Sequence, residues 1–305
     1  MEQKAKEILE KYREAGRISI EAKKLVERTL KPGKNAFEFA QEIEGFIRKQ
    51  GASPSFPLNF SVNNEAAHYS PDINDTRTVG KADTIKVDLG AHVDGYIVDT
   101  AITVNFNKKY DDMTKVTKEA LDAAIDKVKA GVKVMEIGAV IEKTIADAGY
   151  EPIRNLSGHQ IKRFVLHAGQ TIPNHGSKIF GLVKGRLEKG KVYAIEPFAT
   201  DGRGEVKNGR KMNIFRVIRK PKPKETELAK ILKKYIDKVG ILPFSPRFLM
   251  EEDLTKDEIT RDIRKLLRAK IIMGYPVLVE VDPKANVSQF EHTIIVKSDG
   301  CEILT

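Results

Sequence analysis

The chain has 305 residues, 41% hydrophobic and 31% charged, which suits a globular protein with one large domain or two smaller ones. Its single cysteine, Cys301, excludes an internal disulfide framework and a thiolate-rich zinc site, so metal chemistry here would fall to carboxylates and imidazoles. The formal charge is +10, and residues 203–240 carry nearly all of it, with thirteen Lys or Arg against four Asp or Glu. That local basicity reads either as a solvated lysine-rich face or as a contact for RNA or another acidic surface.

Residues 2–50 read as two helices. Ile8, Leu9, Tyr12 and Ala15 recur at helical spacing, Lys31-Pro-Gly-Lys interrupts, and Phe37, Ala40, Ile43 and Ile47 form a second stripe. Pro54 and Pro57 then break the chain. Residues 85–104 predict a hairpin turning near Asp94-Gly95. Two further helices are expected at 114–129 and 134–148, split at Ala130-Gly131, with strands at 192–199, 277–281 and Thr293–Val296. An insert at roughly 221–275 opens on Pro221-Lys-Pro-Lys and holds two helical patterns, about 225–238 and 255–268. The two halves look loosely repetitive, each with helices and a hairpin. No run approaches the about 18 apolar residues that a transmembrane helix needs. The charged start lacks the apolar core of a secretory signal, so the expectation is a cytoplasmic protein.

The hairpin puts Asp88 and Asp99 on facing strands among apolar neighbours, where a carboxylate is costly unless paired, hydrogen-bonded or bound to metal. Acids at turn edges are also common, and that plainer reading stays open for these two. His159 and His167 lie in glycine-containing sequence that lets the backbone pass close to something. Glu196 and Glu291 sit beside apolar strand-like runs. Four acids with one or two histidines suit a pair of Mn, Fe, Co or Zn ions about 3.5–4 Å apart, although scattered buried acids would give the same pattern.

Longer strings then carry a resemblance. They are Phe56-Pro-Leu-Asn-Phe-Ser-Val-Asn-Asn-Glu-Ala-Ala-His68-Tyr-Ser-Pro, Lys86-Val-Asp88-Leu-Gly through Val98-Asp99-Thr-Ala, Asn155-Leu-Ser-Gly-His159 through His167-Ala-Gly, Ala194-Ile-Glu196-Pro-Phe and Gln289-Phe-Glu291-His-Thr. In combination they resemble the type 2 methionine aminopeptidases of archaea and eukaryotes, without the eukaryotic polybasic extension. The resemblance runs from about residue 5 to the end.

It implies an α/β pita-bread fold over 1–305 as a single catalytic domain. Two pseudosymmetric halves would form a curved antiparallel sheet with outer helices, and 221–275 would be the type 2 helical insert. It implies two divalent metal ions. Asp88 and Asp99 would bind one, with Asp99 also reaching the other; His159 and Glu196 would bind the second, and Glu291 would bridge. Glu196 is the implied general base, His68 and His167 would face the scissile peptide, and Phe56 would wall the methionine pocket. The implied substrate is a nascent chain or peptide with a free N-terminal Met and a small second residue. A monomer without membrane contact is expected, with 203–240 as a possible ribosome contact. Two other readings compete: an X-Pro dipeptidase of the same fold, and a non-enzymatic relative bound to ribosomes or nucleic acid. The stretch after Pro71 and residues 175–187 depart from the family strings, which bears on loops and second-residue selectivity rather than on the ligands.

Overall fold

A computed structural model describes residues 2–177, 183–250 and 254–305. Residues 178–182, within the divergent 175–187 stretch, and 251–253, within the insert, lie outside the described residues.

Helices α1 (Glu2–Thr29) and α2 (Ala36–Lys49) form the expected pair. The Asn35 side chain starts α2 by accepting from the Glu38 N–H, which satisfies one of the free amides of the first turn. The buried stripe is Ala36, Phe39, Ala40, Ile43 and Ile47. Phe39, four residues before Ile43, takes the core position, and Phe37 is only half-buried. This stripe packs on a sheet made by strands Asn59–Val62, Thr84–Leu89 and Thr100–Asn105.

The second half repeats the plan. Helices α3 (Asp111–Asp126) and α4 (Val134–Asp147) share a core with Tyr193 and Ile195 of strand Val192–Ile195 and with Ile294 and Val296 of strand His292–Val296.

The expected hairpin is present but has two tiers. Thr84–Leu89 pairs with Thr100–Asn105, and beyond Gly90 a tip pairs His92 with Ile97 and Val93 with Tyr96. Asp94 (φ 51°) and Gly95 (φ 79°) are both left-handed, as a two-residue hairpin turn requires.

The halves are stitched together at a few residues. The Glu291 N–H donates to the Ala101 carbonyl at 3.0 Å. Thr293 Oγ1 accepts from the Asp99 N–H and donates to the Asp99 carbonyl, both at 2.7 Å. Thr100 and Thr103 hydroxyls donate to the carbonyls of Glu291 and Gln289, each at 2.8 Å.

The insert contains α5 (Thr226–Val239) and α6 (Lys256–Arg268), within about a residue of the expected ranges. It has its own core around Leu232, Tyr235, Phe244, Ile263 and Leu266. Its stalk is a long hairpin of Val206–Val217 with Ile272–Glu280. The second of these begins five residues before the expected 277, so 272–275 of the expected insert are strand. The first was not expected at all. Exposed Lys207, Arg210, Lys211 and Arg216 interrupt its apolar alternation. Among the described residues, no helix is long and apolar enough to cross a membrane.

One buried cation locks the insert to the first half. Arg247, in the turn Pro246–Leu249, donates to Ser70 Oγ at 2.6 Å, to the Pro71 carbonyl at 3.0 Å and to Ser245 Oγ at 3.2 Å. It also forms a close ion pair with Glu44 of α2, whose Oε1 accepts the Leu58 N–H at 2.8 Å. Both side chains are buried, so removing one partner leaves an uncompensated charge. Arg247→Met is expected to lower stability by about 3–5 kcal/mol in urea unfolding, and adding Glu44→Gln should recover most of that loss.

Candidate metal centre and active site

Strand register brings the acidic residues together. Asp88 stands on Thr84–Leu89, and Asp99 immediately precedes Thr100–Asn105. His159 stands on Ser157–Ile161, with Ala194 as its Cα partner on the next strand. Glu196 directly follows that strand, and Glu291 directly precedes His292–Val296. Gly158 makes the close strand approach beside His159 possible: a Cβ there would lie 2.3 Å from the Ala194 carbonyl oxygen.

Asp88, Asp99, His159, Glu196 and Glu291 all line one cavity of about 230 Å³, together with Phe56, His68 and His167. His159 Nε2 lies 3.5 Å from Asp99 Oδ2 and 3.7 Å from Glu196 Oε1. One donor atom each from Asp99, His159 and Glu291 falls within 4.8 Å of the others. Asp99 is 4% exposed and Glu291 1%, so water does little to solvate their charge.

The electrostatics follow from this crowding. Burial, and then repulsion from neighbouring carboxylates, holds Asp88, Glu196 and Glu291 well above the usual carboxylate range. Burial pushes Asp99 up to about 7, against a hydrogen bond with Asp88 that pulls it down. One oxygen on each of Asp88, Asp99 and Glu291 has no hydrogen-bonding partner. Orphaned, crowded carboxylate oxygens beside an imidazole fit hard or borderline divalent cations, which would supply both the missing partner and the missing charge.

Two further histidines lie at the cavity wall. His68 has an uncommon positive φ of 65°, and its Nδ1 sits 3.2 Å from the Pro276 carbonyl. A carbonyl can only accept, so Nδ1 carries the proton there and Nε2 is left for other partners. The His167 ring centroid lies 4.3 Å from that of His159. Burial lowers His68 to about 4; burial, with nearby His159, His68 and Arg216, lowers His167 to about 3. Both imidazoles are therefore neutral at neutral pH.

The remaining histidines lie outside the cavity wall. His92 lies at the tip of the hairpin, on the short strand that pairs with Tyr96 and Ile97. It is half-buried, with Nδ1 accepting the Gly95 N–H at 3.2 Å and the ring edge-on to Phe164. His175 is buried, and His292 sits 3.2 Å from Thr305 Oγ1.

Sequence reasoning missed several wall residues, among them Ile214 and Tyr275. They are Cα partners in the hairpin beneath the insert. Tyr275 packs against both His68 and His167, at centroid distances of 5.4 and 6.4 Å. The available signal was the apolar run after Tyr275, read as a strand only from 277 onward.

Comparison with known proteins follows the same lines. Residues 10–298 match metallopeptidase family M24. The chain is 43% identical over 295 residues to a methionine aminopeptidase of Saccharolobus solfataricus, covering 95% of each chain. It is 39% identical over 297 residues to one of Methanocaldococcus jannaschii, covering 97% of this chain and 98% of that one. The crystal structure of a methionine aminopeptidase from Thermotoga maritima shares the fold, with a TM-score of 0.68 at 24% identity, covering 97% of this chain and 95% of that chain.

The raised carboxylates set a pH dependence for metal uptake. Groups that hold protons in the metal-free protein must release them when a cation binds. Calorimetry in buffers of different ionisation enthalpy should show net proton release on divalent-metal binding at pH 6. The release should shrink as pH passes about 7, where Asp99 is already ionised, and apparent affinity should rise over the same range.

Proposed function

The chain belongs to metallopeptidase family M24, and from that premise we propose that it removes the N-terminal methionine from peptides and nascent proteins by metal-dependent hydrolysis. The observation that carries this reading is the crowded carboxylate cavity with two neutral histidines at its wall, in a chain nearly as long as the archaeal methionine aminopeptidases it resembles.

In this reading Asp88 and Asp99 would hold one divalent ion, His159 and Glu196 would hold a second, and Glu291 and Asp99 would serve both. The ligand chemistry accepts Mn, Fe, Co or Zn. Divalent metal bound there supplies Lewis acidity, which lets water ionise near neutral pH.

The protein's own groups do the rest. Glu196 takes the proton from the attacking water and returns it to the leaving amine. His167, neutral in the working range, donates a hydrogen bond where negative charge develops on the carbonyl oxygen. His68 keeps its Nδ1 proton on the Pro276 carbonyl and offers Nε2 to the scissile amide nitrogen. An imidazolium at either position would repel both the metal and the substrate's α-ammonium, so burial favours the useful form.

Phe56 and the apolar wall receive the thioether side chain, which adapts well to such a slot. Tyr275, packed between His68 and His167, narrows the space for the second residue and favours small ones. The reading includes a monomer working in the cytoplasm, with the exposed lysines and arginines of 203–240 available to the anionic ribosome from which substrates emerge.

Metal-loaded protein should release methionine from Met-Ala-Ser and leave Ala-Pro intact. The reverse pattern would instead establish the X-Pro dipeptidase reading. Asp99→Ala should cost at least about a hundredfold in kcat/KM, since even residues that merely support metal ligands cost about 10- to 100-fold. His167→Ala should lower kcat by about 10²- to 10³-fold with little change in KM, the signature of an interaction made only in the transition state.

A further inference from the structure

The hairpin of Val206–Val217 with Ile272–Glu280 leads from inside the cavity to the molecular surface. Ile214 and Tyr275 are Cα partners, and both line the cavity. The register then continues without a bulge through Phe215 and Gly274 to Arg216 and Met273. Side chains two positions apart on a strand share a face, so Arg216 and Met273 stand on the cavity-facing side, about 7 Å further out. Both are exposed.

Arg216 is held in place without being neutralised. Its Nε donates to Met273 Sδ at 3.3 Å, and its guanidinium carbon lies 5.8 Å from the Tyr275 ring centroid. Among the described residues, no carboxylate pairs with it. Arg219, three residues on, is by contrast tied to Glu225 by two hydrogen bonds. Arg216 is thus a permanently charged, planar donor with its ion-pairing capacity unused at the mouth of the site. Its charge also reaches His167, whose pKa it helps to lower.

An extended peptide advances about 3.3 Å per residue, so the third residue of a substrate lies about 7 Å beyond the first. With Ile214 in the wall that receives the first side chain and Tyr275 beside the second residue, the same step outward along the strand from Ile214 reaches Arg216.

We propose that Arg216, backed by Met273, forms a subsite for the third residue of the substrate and selects a carboxylate there. The carboxylate is an acidic side chain in a longer chain, or the terminal carboxylate of a tripeptide. The guanidinium fork matches that group geometrically, and a lysine at the same position would meet like charge. This subsite rests on the aminopeptidase reading above and adds a charge preference to it.

The test compares C-terminally amidated Met-Ala-Glu-Gly and Met-Ala-Lys-Gly as substrates of the metal-loaded protein. The ratio of kcat/KM values is taken within each variant, so a general loss of activity does not enter. The natural chain should favour the Glu peptide by roughly fivefold at low salt, the upper range for an exposed ion pair, and the ratio should fall toward one at about 1 M salt. Arg216→Gln should bring the ratio near one, and Arg216→Glu should invert it. Met-Ala-Ser as free acid should outpace its amide in the natural chain more than in Arg216→Gln, which separates the terminal carboxylate from an acidic side chain. Equal rates on the Glu and Lys peptides, or a preference that survives Arg216→Glu, overturn the subsite and leave the aminopeptidase reading standing. Cleavage of neither peptide, nor of Met-Ala-Ser, overturns both.

Discussion

Four carboxylates share one cavity that excludes most water, and they cannot all carry charge there without a positive partner. The rest of the structure is arranged around that constraint. Each half supplies part of the set: Asp88 and Asp99 from the first, Glu196 and Glu291 with His159 from the second. The seam between the halves runs through the same residues, since the Asp99 and Glu291 backbones make the bonds that join the two sheets. Fold assembly and site assembly are therefore one event. A change that loosens the seam also moves the carboxylates apart.

Burial acts on the acids and the imidazoles with opposite results. It makes the carboxylates hold their protons and makes His68 and His167 give theirs up. The metal-free pocket thus approaches electrical neutrality by protonation. Binding of a divalent cation would ionise the acids while burial and the cation's own charge kept the imidazoles neutral. The outcome would be a pocket in which anionic carboxylates and neutral hydrogen-bond donors coexist at one pH.

Much of this was visible in the residues. Acids set in apolar strand patterns stand out because burial penalises them, and that alone drew attention to Asp88, Asp99, Glu196 and Glu291. The family strings then supplied an order and a set of roles. What stayed hidden depends on contacts between distant segments. Nothing local says that Gly158 exists to let the Ala194 carbonyl pass, or that Phe39 rather than Phe37 enters the core. The strand at Val206–Val217 was masked by its exposed lysines and arginines, which made it look like part of a solvated basic stretch. With that strand unseen, Ile214 lost its place in the wall, and Tyr275 was assigned to the insert rather than to the site.

The Arg247–Glu44 pair has a bearing on how such a chain can change over generations. Helical insertions on a stalk are usually easy to shorten or exchange, because little else leans on them. Here the insert reaches back and supplies the counter-charge for an acid in the core of α2, and it holds the segment just after His68 through Ser70 and Pro71. Losing it would strand Glu44 and release that segment in a single step. A shorter descendant would need a compensating change at Glu44 first, so the pair works as a ratchet that retains an addition once it has been gained.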